Sequence, residues 1–289
     1  MEGIIVKGVG GLYFVKDGSN IVKCKPRGIF RKNKLKPLPG DHVVYSLESE
    51  MGTIEQVRIR ENELVRPAAA NVTQALIVFA LKNPDLHLNL LFTFLLVMEE
   101  KGIKPVLLFN KRDIAEPAVT EAIRAIFEKT AYDFRFICAE KPDDIEPLKA
   151  YLKDNLTILC GPSGAGKSTI LNALLGEAKM DIGEVSEKIG RGKHTTRHTE
   201  LVEIAGGLLA DTPGFSNIEF ILKDHKLLKN YFPEFSDFED RCRFNGCMHV
   251  NEPDCAVKAA VGEQISEVRY EFYLETFNKL KEGEKHQWN

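Results

Sequence analysis

Three rhythms of apolar and polar residues follow one another along the chain. Up to about residue 66 the apolar positions come in short alternating runs separated by glycine turns: Gly3 to Gly8, Gly11 to Lys16, Ser19 to Lys25, Asp41 to Leu47 and Gly52 to Arg58. Period-two runs of this length predict five strands, and no helical period lasts more than two turns. Five short strands in so small a unit suggest a barrel of the oligonucleotide-binding type. The rhythm then changes. Gln74 to Leu81, Lys104 to Phe109, Phe134 to Cys138 and Leu156 to Cys160 are nearly continuous apolar runs, the mark of parallel strands covered on both faces. Helical periods lie between or behind them, over Leu86 to Glu100 (with Asp85 or Asn83 as cap), Ala118 to Thr130, Ile145 to Leu152 and Ile170 to about Leu175. Leu201 to Ala205 and Gly207 to Ala210 read as two further strands. Beyond residue 220 the pattern is helical: Phe220 to Asn230, broken at Tyr231-Phe232-Pro233, then Ala256 to Val261 and Ile265 to Leu280, with a polar, frayed tail from Lys281.

The expected architecture is therefore a multidomain α/β protein. It comprises an OB-like β-barrel over 1–66, an α/β domain over 67–219 and a helical domain over 220–289. The first boundary falls in Arg66-Pro67-Ala68-Ala69-Ala70-Asn71.

Composition changes this picture little. With 289 residues, 44% hydrophobic, 28% charged and a formal net charge of -3, the chain resembles an ordinary soluble protein. No apolar run approaches a membrane span, and the first 20 residues carry charge and glycine rather than a signal-peptide core, which favours the cytoplasm and no membrane partner. Global charge makes no case for nucleic acid, but local charge does. Lys23, Lys25, Arg27, Arg31, Lys32, Lys34 and Lys36 follow one another with no acidic residue between them, and Phe30 sits among them. An aromatic among cations suits a surface that tracks phosphates and stacks bases. A solvated basic loop with an incidental phenylalanine fits as well.

The chemistry is carried by spaced motifs. Gly161-Pro162-Ser163-Gly164-Ala165-Gly166-Lys167-Ser168-Thr169 follows an apolar strand and opens a helix, as a phosphate loop requires. Its glycines let backbone amides converge on phosphate oxygens. Lys167 places a charge on the β and γ phosphates, and Ser168 offers its hydroxyl to Mg2+. Asn110-Lys111-Arg112-Asp113 ends another apolar strand. There Asp113 can accept from guanine N1 and N2, Asn110 can contact N7 and brace the loop, and the Lys111 stem can pack over the base. Cys138-Ala139-Glu140 stands where GTPases carry Ser-Ala-x, whose alanine amide touches guanine O6. Asp211-Thr212-Pro213-Gly214 is a D-x-x-G element: Asp211 for Mg2+ through water, the Gly214 amide for the γ phosphate. In the polar stretch from Gly190 to Arg197, Thr196, ahead of Thr195, is the candidate for capping Mg2+ and sensing the γ phosphate.

Two features depart from an ordinary GTPase. The guanine-reading elements precede the phosphate loop, so the domain is circularly permuted, and the chain after Asp211 leads straight into the C-terminal domain. Phe215 follows D-x-x-G where a water-orienting glutamine often stands, so unaided hydrolysis is expected to be slow. His194 and His198 are the nearby candidates for that task.

Cys242, Cys247, His249 and Cys255 place three thiols and an imidazole within 14 residues. In a reducing compartment this set suits one closed, structural Zn2+ rather than disulfides. Tyr270, Tyr273 and Phe277 are expected to pack against the zinc segment.

Taken together, the barrel, the permuted motifs, Gly-Lys-His-Thr-Thr, Asp-Thr-Pro-Gly-Phe and the Cys-Cys-His-Cys segment resemble the bacterial small ribosomal subunit biogenesis GTPase family over essentially the whole chain. The resemblance implies a monomeric GTPase that binds GTP and GDP and joins the maturing small ribosomal subunit late in assembly. It also implies hydrolysis stimulated by that subunit, release afterwards, and rRNA contacts from both flanking domains. An RNA-binding module with a vestigial GTPase domain, or a GTPase acting on a protein or membrane, are the competing readings. No amphipathic basic helix or lipidation motif supports the membrane version.

Overall fold

A computed structural model describes residues 1–32, 35–48, 50–65, 67–176, 199–211, 222 and 224–287. His194, Thr196, His198, Gly214 and Phe215 lie outside these residues, and so does the side chain of Asp211.

The five N-terminal strands form as their alternation predicts: β1 (Glu2–Val9), β2 (Leu12–Asp17), β3 (Asn20–Pro26), β4 (His42–Leu47) and β5 (Gly52–Val57). They pair in the order β1-β2-β3-β5-β4, and β4 returns to β1 with Gly3 opposite Val43, which closes the barrel. Ile5, Tyr13, Val15, Cys24, Val43, Tyr45 and Ile54 fill it. Phe30 fills it too. The basic segment turns into a short helix, α1 (Gly28–Lys32), that points this ring inward at 7% exposure. The expected base-stacking platform is thus a core residue, and the apolar side chain α1 leaves outside is Ile29.

Residues 58–72 join barrel to α/β domain through a small pairing of β6 (Glu63–Leu64) with β7 (Ala69–Ala70), which straddles the boundary expected at 66–67. The α/β sheet runs β10-β9-β8-β11-β13-β12. Its strands are β8 (Gln74–Ala80), β9 (Lys104–Asn110), β10 (Asp133–Phe136), β11 (Leu156–Cys160), β12 (Glu200–Ile204) and β13 (Gly207–Asp211). All are parallel except β12, which returns on β13 through a tight turn at Ala205-Gly206 with both residues at positive φ. Every residue of β8 and β11 is buried, as expected of strands covered on both faces. Parallel strands send their carboxyl ends to one edge, so the segments after β9, β10 and β11 meet there, beside the carboxyl end of β13, despite their permuted order.

The helices are α2 (Leu88–Lys101), α3 (Pro117–Phe127), α4 (Pro142–Ile145), α5 (Lys149–Leu152) and α6 (Lys167–Leu175). Two differ from expectation. The α2 cap is His87, without a side-chain bond, rather than Asp85 or Asn83. The single helix expected over 145–152 is broken by a 3-10 turn at Glu146–Leu148, where Pro147 supplies no amide hydrogen.

The C-terminal part holds a 3-10 helix over His225–Tyr231, then α7 (Ser236–Glu239), α8 (Ala256–Ala260) and α9 (Glu267–Gln287). The polar tail is helical through Gln287 rather than frayed from Lys281. Tyr273 and Phe277 are core residues, and the fully buried Arg269 pairs with Glu234 beneath Phe92 of α2. The barrel meets the α/β domain differently. Strand β1 pairs with β12 at Lys7 opposite Glu200, which makes one sheet of 11 strands.

Candidate functional site

The phosphate loop is shaped by its neighbours. A Cβ on Gly161 would lie 2.0 Å from the Val78 carbonyl oxygen, and one on Gly166 would lie 2.2 Å from Asn110 Nδ2. Both residues also have positive φ, so side chains are excluded there by space and by backbone. Lys167, at the first turn of α6, donates to the carbonyls of Gly161 and Pro162 at 2.7 Å each. Partial burial lowers its pKa. Ser168 and Thr169, which follow on α6, are exposed, as are Ser163 and Gly164, while Ala165 is buried.

Asn110 connects this loop to the segments assigned from sequence to guanine. Its side chain is 2% exposed. Nδ2 donates to the Ala165 carbonyl of the phosphate loop at 2.9 Å, and Oδ1 accepts from the Ala139 amide at 2.9 Å. One amide thus joins three segments spread over residues 110 to 165. It also engages the amide assigned from sequence to guanine O6, so in this structure Ala139 already has a partner within the protein. Lys111 has positive φ and reaches the Asn83 carbonyl. Asp113 is exposed at the rim.

Cys138 fills the serine position of the usual motif. Burial raises the pKa of its thiol, the Glu140 amide works against that rise, and the Asp113 carboxylate adds to it. A thiol is a weaker partner than a hydroxyl, but it occupies the same connecting place. The Cys138 amide donates to Asp144 Oδ2 at 2.7 Å, and Asp144 in turn takes two bonds from Arg112. Sequence reading gave no role to Arg112 or Asp144; the pair is separated by 32 residues and is brought together by the fold.

The second cluster is compact. His249 Nδ1 lies 3.3 Å from Cys255 Sγ and 3.7 Å from Cys242 Sγ, and the latter is 3.9 Å from Cys255 Sγ. With Cys247, the four ligand atoms lie within 4.8 Å of one another. A tetrahedral ion with Zn–S bonds of ~2.3 Å requires S···S edges of about 3.8 Å, so the donor set and spacing fit Zn2+. His249 Nε2 faces away, 3.2 Å from Glu239 Oε1, the outer contact that fixes a ligating imidazole. The Glu252 carboxylate accepts the amides of Met248, Val250 and Asn251 and so folds the loop that presents His249. Burial opposes ionisation of Glu252, but these amides hold its pKa below the usual carboxylate range. Neither Glu239 nor Glu252 was singled out from sequence.

Known proteins share this organisation. The family described as RsgA GTPase matches residues 57–221, and the RsgA N-terminal domain matches residues 2–54. The chain belongs to the RsgA GTPase family. It is a GTP-hydrolysing protein with circularly permuted elements. A relative from Clostridium perfringens (strain SM101 / Type A), "Small ribosomal subunit biogenesis GTPase RsgA", is 49% identical over 281 residues, covering 97% of this chain and 98% of its own. The Clostridium novyi (strain NT) protein of the same name is 47% identical over the full length of both. Among solved structures, YloQ, described as a circularly permuted GTPase, is 34% identical with a TM-score of 0.83, covering 97% of this chain and 95% of its own. YjeQ from Thermotoga maritima is 35% identical with a TM-score of 0.81, covering 96% and 98%. No helix among the described residues is long and apolar enough to cross a membrane.

Proposed function

We propose that this GTPase acts in late maturation of the small ribosomal subunit, with turnover stimulated by that subunit and release after hydrolysis. The observation that carries the guanine-nucleotide reading is Asn110, which holds the Asp113 and Cys138 loops against the phosphate loop. The subunit enters from the printed name of the Clostridium relatives and from the basic segment of the barrel, whose Lys23 to Lys36 stretch would track rRNA phosphates.

In this reading Asp113 accepts from guanine N1 and N2. Lys167 exchanges the Gly161 and Pro162 carbonyls for β and γ phosphate oxygens. The amides of Gly161 to Thr169 cradle those phosphates. Ser168 and Asp211 hold Mg2+, with Thr196 and Gly214 at the γ phosphate and His194 a candidate for ordering water. Cys242, Cys247, His249 and Cys255 would hold one Zn2+, and four protein donors would make its work structural. Burial pushes the pKa of the Cys247 thiol up, and a bound cation would favour its ionised form. The protein acts as a monomer in the cytoplasm.

The two flanking domains differ in charge. Residues 1–66 contain 12 Lys or Arg against 8 Asp or Glu, whereas residues 220–289 contain 10 against 13. General attraction to RNA therefore belongs to the barrel, and any rRNA contact from the zinc domain depends on individual side chains. The test is GTP turnover with and without purified small subunits. Slow turnover alone and a rise with subunits of at least about tenfold, a low bound against the ~10³–10⁵ that a supplied catalytic group can contribute, are expected. An unchanged rate under conditions where the two bind would overturn the proposal.

A further inference from the structure

We infer that Arg112 and Asp144 are positioning residues for base recognition, a cross-brace that sets the spacing of the two guanine-reading loops. The inference rests on the guanine reading proposed above and adds residues that make no contact with the base in that reading.

Arg112 occupies the variable position of Asn-Lys-x-Asp. Its guanidinium grips Asp144 with two bonds, Nε to Oδ2 at 2.9 Å and Nη2 to Oδ1 at 2.8 Å. The same Oδ2 accepts the Cys138 amide at 2.7 Å, and the Arg112 amide donates to the Ile137 carbonyl at 3.1 Å. The loop carrying Asp113 and the loop carrying Cys138 are therefore tied by side chain and by backbone, independently of the tie through Asn110. Asp144 is suited to this place. Its side chain is 13% exposed, and although burial disfavours its charge, Arg112 and the Cys138 amide keep it ionised.

A brace is needed because Asp113 is weakly held. It is exposed at the rim, and the group its carboxylate acts on is the Cys138 thiol, a weak partner. An aspartate that must meet two donors of one base needs its carboxylate aimed within a few tenths of an ångström. With little side-chain support, that aim comes from the backbone of residues 112–113, which Arg112 anchors. A forked arginine-carboxylate pair fixes geometry where a lysine would supply only charge. Since the Arg112 side chain is 45% exposed, the pair contributes little to stability, and its effect is on placement.

The experiment measures equilibrium affinities of the full chain for GDP, IDP and ADP. IDP lacks the exocyclic N2 group that Asp113 reads. Variants are Arg112→Met, Arg112→Lys, Asp144→Asn and the double Arg112→Met/Asp144→Asn. Arg112→Met is expected to weaken GDP binding roughly tenfold, on the scale of one charge-assisted contact, and to lower the preference for GDP over IDP. Arg112→Lys should recover less than half of that loss. The double variant should fall no further than the worse single one, because both remove the same brace. Two results would overturn the inference: equal weakening of GDP and IDP, which marks general loosening, or affinities unchanged in every variant. Wild-type protein that fails to prefer GDP over ADP would remove the guanine reading itself, and the brace with it.

Discussion

The two flanking domains are joined to the GTPase domain in opposite ways. The C-terminal joint is centred on one cation. Arg269, fully buried, bonds Glu234 at 2.7 and 3.0 Å, and its guanidinium lies 5.1 Å from the Phe92 ring, 5.4 Å from Tyr132 and 4.9 Å from Phe232. Phe92 and Tyr132 belong to the GTPase domain, so the aromatic box spans both sides. Burial opposes the charge of Arg269, and the Glu234 carboxylate more than offsets it. The barrel joint is spread out. Strand β1 meets β12, Lys7 pairs with Glu200 at 2.8 Å and Lys16 with Glu203 at 2.7 Å, Asn71 Nδ2 donates to the Gly40 carbonyl, and Val6 joins the large core. No single group dominates there. A centred joint behaves as one body with its neighbour, and a distributed joint can yield piece by piece.

Arg269→Ala should therefore have the largest effect. It strands Glu234 and empties the box, a loss of about 3–5 kcal/mol for a broken buried pair. Thermal unfolding should show it as a markedly lower transition for the C-terminal domain. A variant as stable as wild type would contradict the centred joint. Lys7→Met and Lys16→Met should have the smallest effect. Both ion pairs are half-exposed at their glutamates, with side-chain exposures of 41% and 57%, so each is worth less than about 1 kcal/mol and fades with salt. Losses matching that of Arg269→Ala would erase the distinction between the joints.

The distributed joint also bears on function. Strand β12 directly follows the segment that contains Thr196, and it is this strand that β1 of the barrel touches. The sequence suggested a route from the switch into the C-terminal domain through the covalent connection. The strand pairing sets the start of β12 against the barrel, the domain that carries the basic segment.

Much of the fold was legible because its periods are strong. Five alternating runs became five barrel strands, and the buried runs Gln74 to Leu81 and Leu156 to Cys160 became the central strands of the sheet. Local signals misled where a turn of chain decides direction. Phe30 sits among cations in the sequence, yet α1 rotates it into the barrel, and polarity alone cannot show which way a short helix faces. Pro147 splits a stretch whose apolar spacing suits one helix. Lys281 to Gln287 stay helical because α9 continues past its last apolar positions. The site residues with their own motif, Asn110, Lys167 and the four zinc candidates, were visible as patterns. Asp144, Glu239 and Glu252 were not, since their partners are brought to them by the fold and no spacing rule marks them.

The central claim is that one buried amide makes a working site out of segments whose chain order is rearranged. The direct measurement is GDP affinity of Asn110→Ala in the full chain. The substitution leaves the Ala139 amide and the Ala165 carbonyl without their partner, at about 1–3 kcal/mol each. The account predicts that GDP affinity falls by two orders of magnitude or more, about 2.8 kcal/mol, while bound zinc is retained. GDP binding equal to that of the wild-type protein would contradict it.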